Sequence, residues 1–237
     1  MNSLKPDVSI IIPAYNEENT IYDIVSRTLN SISKISDLSF EIIIVDDGST
    51  DRTFEVVRKL GVIVLRNKHN RGKGNALRRG FFAARGKIMV TLDADGSHFP
   101  EDLPSVLAPI INGEADMVIG SRFGNKNQIP TTPLNLAGNF LFNLMIHILT
   151  RRRISDTQSG FRAFKRSLLK VLKINSTGYD IESEVLIKSL MRKYSLKEVD
   201  IRSIQRLYGN EKINPFRDGC KILLQIVKTY LKASKNL

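Results

Sequence analysis

Short apolar runs alternate with longer segments of helical periodicity through the first half of the chain. Val8–Ile12, Phe40–Val45, Val62–Leu65 and Ile88–Leu92 are continuous stretches rich in Ile and Val, while Glu17–Ile32, Thr50–Lys59 and Gly74–Ala84 repeat apolar residues at helical spacing. Continuous rather than alternating apolar strands, separated by helices, predict a parallel sheet covered on both faces. Met117–Gly120 and Leu196–Ile201 predict further strands, and Ile181–Arg192 a further helix. Leu134–Leu149 predicts a helix apolar around most of its circumference, which is expected to be buried. Near the end, Leu223, Val227, Tyr230 and Leu231 fall at helical spacing with lysines on other faces. That pattern predicts a basic amphipathic helix, packed on the domain or lying on a membrane surface. The expected architecture is α/β, a mostly parallel central sheet with helices on both faces, over residues 1–215, followed by the terminal helix over 216–237. No internal repeat or low-complexity tract interrupts it.

In an open parallel sheet, ligands bind beyond the carboxyl ends of the strands. Three polar turns follow predicted strands there: Pro13-Ala14-Tyr15-Asn16-Glu17, Asp46-Asp47-Gly48-Ser49 and Asp93-Ala94-Asp95. Paired carboxylates suit a hard cation such as Mg²⁺, which takes one or two of them and shares its other positions with phosphates and water. Alone, Asp-x-Asp equally describes a solvated turn. Three such turns converging on one sheet edge favour a site. The turn Asn70-Arg71-Gly72-Lys73-Gly74 has two readings. Its glycines could present N–H groups to a phosphate with Arg71 or Lys73 assisting, or simply begin a helix; P-loop spacing is absent.

Charge changes the picture of the partners. The 237 residues carry 36 basic and 24 acidic side chains, a net charge of +12 that favours anionic ligands. No zinc-finger spacing, basic zipper or aromatic single-strand platform accompanies it, so nucleic acid is not an expected partner. One cysteine, Cys220, excludes an internal disulfide framework and fits a reducing compartment. The N-terminal residues predict no secretory leader. The longest apolar stretch, Phe140–Leu149, is broken by Asn143 and His147 and is short of the roughly 20 residues a spanning helix needs.

Val8-Ser-Ile-Ile-Ile-Pro-Ala-Tyr-Asn-Glu17, Ile44-Val-Asp-Asp-Gly-Ser-Thr-Asp51 and Asp93-Ala-Asp95, in that order, resemble a family 2 glycosyltransferase of the GT-A fold. Gly120-Ser-Arg122, Asp156-Thr-Gln-Ser-Gly-Phe-Arg162 and Arg206-Leu-Tyr-Gly-Asn-Glu-Lys212 narrow the resemblance to dolichyl-phosphate mannose or glucose synthases. The resemblance implies that Pro13, Tyr15 and Glu17 pack against the nucleotide. It implies further that Asp47 accepts a hydrogen bond from the base beside Val45, with Asp46 holding the turn. Asp95, supported by Asp93 and Ser97, would hold Mg²⁺ or Mn²⁺, with Ala94 between the acids on the donor surface. Asp156 and Gln158 would line the sugar pocket, and one of Glu182 and Glu184 would face the sugar while the other stays on the helix surface. His98 reads as structural.

The implied acceptor is dolichyl or another polyprenyl phosphate, and Arg122, Arg206 and Lys212 supply cations to hold it. A phosphate monoester has a second pKa of about 6, so it attacks without a general base. Arg122 lacks a companion these synthases often carry: the next helix reads Leu134-Asn135-Leu136-Ala137-Gly138-Asn139. Asn139 could donate instead. The sugar stays open among UDP-glucose, UDP-N-acetylglucosamine and GDP-mannose donors. The expected location is the cytosolic face of an anionic membrane surface. The nearest alternative is a family 2 transferase acting on a glycan hydroxyl, with Asp156 or Glu184 as base. A sugar-1-phosphate nucleotidylyltransferase or a basic binding module are the others.

Overall fold

A computed structural model of the chain describes residues 5–123, 133–206, 208 and 215–235, with the backbone alone at Leu134, Pro215 and Phe216. The sheet has seven strands: β1 (Val8–Ala14), β2 (Phe40–Asp46), β3 (Ile63–Arg66), β4 (Ile88–Thr91), β5 (Met117–Ser121), β6 (Arg162–Lys165) and β7 (Leu196–Asp200), in the order β3-β2-β1-β4-β6-β5-β7. All neighbours are parallel except β6, which runs antiparallel between β4 and β5. Its four residues, Arg-Ala-Phe-Lys, carry no apolar run, and so the strand is missing from the sequence pattern.

Helices cover both faces: α1 (Ile21–Ile32), α2 (Thr53–Val57), α3 (Lys73–Ala83), α4 (Leu103–Ile111), α5 (Pro133–Thr150), α6 (Arg166–Leu172), α7 (Ile181–Met191) and α8 (Pro215–Ser234). Successive strand residues point to opposite faces. Ile10, Ile12, Ile42 and Ile44 therefore enter a core shared with α1 and α4, while Ile11, Ile43 and Val45 enter the core under α3, α5, α6, α7 and α8. Each such buried side chain contributes about 1.5–3 kcal/mol, which explains why continuous runs persist on two-sided strands. Helix α1 begins four residues later than the periodicity suggests, because Glu17 remains in the β1 loop, its N–H donated to Thr53 Oγ1 at 2.7 Å.

Two helices depart from expectation. Helix α5 is buried on one side only: Asn139, Phe142 and Ile146 face inward, while Phe140 and Ile148 are 68% and 56% exposed. Helix α8 packs on the domain, against α5 and α7. Its inward residues are Ile222, Ile226 and Thr229, with Leu223 and Tyr230 at their edge. Val227 and Leu231, expected on the apolar face, point outward. Ile222 and Ile226 were hidden in the pattern because apolar residues occur around much of this helix.

Candidate functional site

Strand register assembles the site. Ala14 pairs with Asp46, and Ile11 with Thr91, so the loops leaving β1, β2 and β4 emerge side by side. The first two are laced together: Asn16 N–H donates to Ser49 Oγ at 2.9 Å, Thr50 N–H to Asn16 Oδ1 at 2.8 Å, and Glu18 N–H to Asp51 at 3.1 Å. Asn16 adopts a positive φ of 51° to make the turn, a conformation that Asn tolerates better than most residues. Asp46 is fully buried and holds its turn, accepting from Ser49 N–H at 3.0 Å and facing Arg66 Nε at 3.0 Å.

Beyond these strand ends lies a cleft of about 590 Å³. Pro13, Tyr15, Glu17, Asp47, Asp93, Ala94, Asp95 and Arg206 line it, together with Lys73, Tyr179 and one side of α8. Most of the residues expected at a donor site thus share one cavity. Val45 does not: it is sealed in the core beneath α3, where Gly80 lets the helix approach. Gln158 does not line the cleft either, because its amide donates to Ser183 Oγ at 2.9 Å.

Asp95 is the best-presented carboxylate. Ser97 donates to its Oδ1 through N–H and Oγ at 3.0 and 2.7 Å, which orients the group. Oδ2 faces the cleft with Arg206 Nη1 3.7 Å away. Asp93 is clamped instead. Lys73 Nζ lies 2.7 Å from Asp93 and 2.9 Å from Glu182, both largely out of solvent. Burial works against the charge on Lys73, but Asp93 and Glu182 outweigh it and hold its pKa well above the ordinary lysine value. Burial likewise opposes ionised Asp93, and Lys73 more than compensates, keeping its pKa below the usual carboxylate range. A Cβ on Gly160 would overlap the Asp93 carboxylate, so only glycine fits there. The Lys73 clamp was only half legible in the sequence, since it joins a helix start to a distant carboxylate on α7.

His98 is buried, with Nδ1 3.8 Å from Asp93 and neither ring nitrogen hydrogen-bonded. Desolvation pushes its pKa below the ordinary value despite the pull of Asp93, so the 3.8 Å approach is not an ion pair. Tyr179, on the cleft wall, is pushed up to about 12 by burial. The glycine turn at 70–74 resolves against a phosphate cradle. The Arg71 and Gly72 N–H groups donate to Asp47, and Gly72 and Gly74 allow the backbone at 176–178 to pass close by. Asp47 also accepts from Asn67 at 2.6 Å, so much of its acceptor capacity is already committed.

Arg206 reaches across the cleft to Glu17, donating to both carboxylate oxygens at 2.6 and 2.7 Å. It therefore sits among the donor-side carboxylates. Arg122 forms a two-pronged pair with buried Asp156, Nε at 2.7 Å and Nη2 at 2.9 Å. Burial opposes both charges, yet each partner stabilises the other, which raises the arginine pKa and lowers that of Asp156. Asn139 approaches the same carboxylate at 3.5 Å rather than replacing a missing arginine. Of Glu182 and Glu184, one of which was expected on the helix surface, both are buried; Glu184 accepts from Asn175 N–H at 3.0 Å and Ser176 N–H at 2.7 Å and pairs with Lys188. Lys212 lies outside the described residues. Sequence reasoning read Arg162 only as part of a motif. Fully buried, it donates to the carbonyls of Thr157, Ser159 and Glu182 at 2.7–2.8 Å and shapes the loop after Asp156.

Among the described residues, no group of three or more His, Cys, Asp or Glu side chains could enclose a metal ion. A cation sharing its positions with a diphosphate needs fewer protein ligands. The open Oδ2 of Asp95 meets that requirement.

A nucleotide-sized cleft at the carboxyl edge of this sheet, floored by Asp-x-Asp, is the arrangement of a glycosyltransferase, and residues 9–173 match the profile of Glycosyl transferase family 2. The chain belongs to that family, in its branch similar to the dolichyl-phosphate sugar synthases. It is 33% identical to the UDP-N-acetylglucosamine–dolichyl-phosphate N-acetylglucosaminyltransferase of Methanococcus voltae, over 93% of this chain and 94% of that one. It is 35% identical to the dolichyl-phosphate hexose transferase of Haloferax volcanii, over 95% of each. The fold is shared with glucosyl-3-phosphoglycerate synthase of Mycobacterium tuberculosis, crystallised with Mn²⁺, UDP and phosphoglyceric acid: TM-score 0.74, 26% identity, covering 96% of this chain and 78% of that one. That match makes the architecture GT-A. The protein is a hexosyltransferase.

Proposed function

We propose that the protein moves a hexose from a nucleotide sugar to dolichyl or another polyprenyl phosphate with inversion. A lipid-phosphate oxygen attacks the anomeric carbon, and the bond to the nucleoside diphosphate breaks with its electron pair on the departing oxygen. The products are the lipid-phosphate sugar and the nucleoside diphosphate. The observation that carries this reading is that neither carboxylate expected as a base, Asp156 or Glu184, is available among the described residues. Asp156 is consumed by Arg122, and Glu184 is turned away and held by Lys188 and two backbone N–H groups. Both carboxylates are stabilised as anions, which makes them weak bases for a sugar hydroxyl. A phosphate acceptor needs none.

Pro13, Tyr15 and Ala94 form the nucleotide wall, and Asp47 with its fixed acceptors orients the base. Mg²⁺ or Mn²⁺ held by Asp95 would neutralise charge on the leaving diphosphate. Asp93, fixed by Lys73, would be the second carboxylate at the ion, and Ser97 sets the rotation of Asp95. Arg122 anchored by Asp156, Arg206 anchored by Glu17, and Lys212 would supply the cationic side toward the acceptor phosphate. The relatives' names support dolichyl phosphate as acceptor class; one names UDP-N-acetylglucosamine as donor and another is a mannosyltransferase, so all three donors enter the test.

No helix among the described residues is long and apolar enough to cross a membrane. Access to a lipid acceptor would then come from a surface. Phe140, Leu144 and Ile148 form an exposed stripe at i, i+4 and i+8 on α5, and α8 exposes Leu224 and Leu231 with Lys228 between them in sequence. This surface suits the cytosolic leaflet of an anionic membrane.

The test is transfer of radiolabel from UDP-glucose, UDP-N-acetylglucosamine or GDP-mannose into organic-extractable, acid-labile lipid, with polyprenyl phosphate and Mg²⁺ or Mn²⁺ supplied. One donor should label the lipid strongly. Label appearing only in an alkali-stable glycan, or in no product, overturns the proposal.

A further inference from the structure

A second cavity, of about 790 Å³, lies between α3 and α6 and shares no lining residue with the cleft. Arg71, Arg78, Arg79, Arg166 and Lys170 line it, and no acidic residue does. Several arginines elsewhere pair with carboxylates: Arg27 with Glu101, Arg85 with Glu41, Arg202 with Asp102. Here none of the five makes an ion pair among the described residues. The hydrogen bonds of the arginine side chains are to neutral acceptors: Arg78 to the Asn175 carbonyl, Arg79 to the Arg66 carbonyl and Asn67 Oδ1, Arg166 to the Arg85 carbonyl. Gathering like charges in one concavity without counter-charge costs free energy unless an anion enters.

The cavity also has an apolar side. Phe82, on the same wall, is 91% exposed, and Leu169 and Ile174 continue the surface inward. We infer that this cavity is an anion site for a phosphate or diphosphate group carried on an apolar body. Arginine forks match phosphate oxygens, and Phe82 covers the attached carbon skeleton. The site is separate from the donor cleft but touches its frame. Arg79 bonds Asn67, and Asn67 bonds Asp47. The inference does not depend on the proposed transfer reaction, since its test reads binding and not turnover.

The same chemistry has two sources, a lipid headgroup or a soluble phosphate, and the test separates them. Inorganic pyrophosphate is titrated calorimetrically into the full chain in EDTA, and sedimentation with phosphatidylglycerol vesicles is compared with phosphatidylcholine vesicles. Saturable pyrophosphate binding assigns a soluble phosphate; retention on phosphatidylglycerol vesicles alone assigns the headgroup. In either arm Arg78→Ala/Arg166→Ala should weaken binding by about tenfold, since charge-assisted contacts dominate. Lys170→Ala, whose amine has no partner in the described structure, should weaken it by a smaller factor and guards against misfolding of the double variant. Two control pairs remove equal charge elsewhere: Arg58→Ala/Lys59→Ala on the surface and Lys221→Ala/Lys228→Ala at the cleft. No binding in either arm, wild-type affinity in the Arg78/Arg166 and Lys170 variants, or an equal loss in a control pair overturns the inference.

Discussion

Asp93 and Asp95 are separated only by Ala94 in the sequence, yet their surroundings divide their work. Asp95 keeps an oxygen toward the cleft, while Asp93 is tied to Lys73 and roofed by Gly160. Asp95→Asn should therefore lower sugar transfer by about 100-fold or more, because charge stabilisation at the leaving group is lost, with little change in thermal midpoint. Lys73→Met should behave differently. It strands two carboxylates that are largely out of solvent, and removing one partner of a buried pair costs about 3–5 kcal/mol. Urea unfolding checks this, and a loss below about 1 kcal/mol would mean that the network is not held by that ammonium. The paired acids were readable from the motif alone. The precedence of Asp95 followed from the family resemblance, but the clamp on Asp93 was only half legible, because Lys73 and Glu182 are far apart in sequence and meet only in the folded chain.

At the scale of elements, the strand-end turns of β1, β2 and β4 were legible because Ile and Val runs end abruptly in polar residues. Strand β6 was not. It is short, mixed in polarity and antiparallel, and it forms because β4 and β5 leave a gap that its backbone fills. That strand brings in Gly160, whose carbonyl accepts from Thr91 Oγ1 at 2.7 Å and whose missing side chain makes room for Asp93. Gly160→Ala should cost about 1–3 kcal/mol, the usual penalty for overpacking, and reduce transfer more than its stability loss explains. Activity assayed well below the unfolding temperature separates the two effects. Helix α5 carries a similar lesson. Its apolar circumference suggested burial, but an apolar residue does not name what covers it. On this chain one side meets α8 and the core while Phe140, Leu144 and Ile148 remain uncovered. Phe140→Ser/Ile148→Ser should reduce sedimentation with anionic vesicles and leave the melting temperature near that of the unsubstituted chain. Unchanged sedimentation would remove α5 from the membrane surface. Truncating α8 would not test this cleanly, because Ile222 and Ile226 belong to the core.

For the whole molecule, acid should be the main electrostatic threat to the fold. Burial alone would raise the pKa of Glu184, but Lys188 and the Ser176 N–H bring it below the ordinary glutamate value. A depressed folded pKa stabilises the protein above the unfolded value, about 4.3, and that stability is lost as pH falls through the folded pKa. Glu184→Gln should therefore destabilise the protein by about 1–3 kcal/mol at neutral pH and flatten the decline of stability below pH ~4. Denaturant midpoints measured across pH 2–7 would reveal a decline just as steep in the variant if Glu184 does not contribute.

The sequence by itself determined the layered sheet, the positions of its first strands along the chain and the three polar turns at their ends, because each is encoded locally in runs of a few residues. Family membership was legible for the same reason. Tertiary structure alone decided which side chains are free to act. It withdrew Val45 and Gln158 from the cleft, committed Arg122 to Asp156, brought Arg206 over Glu17, and turned Glu184 inward. Those outcomes depend on burial and on partners distant in the chain. Desolvation and pairing set the state of a charged group, and no local pattern records either.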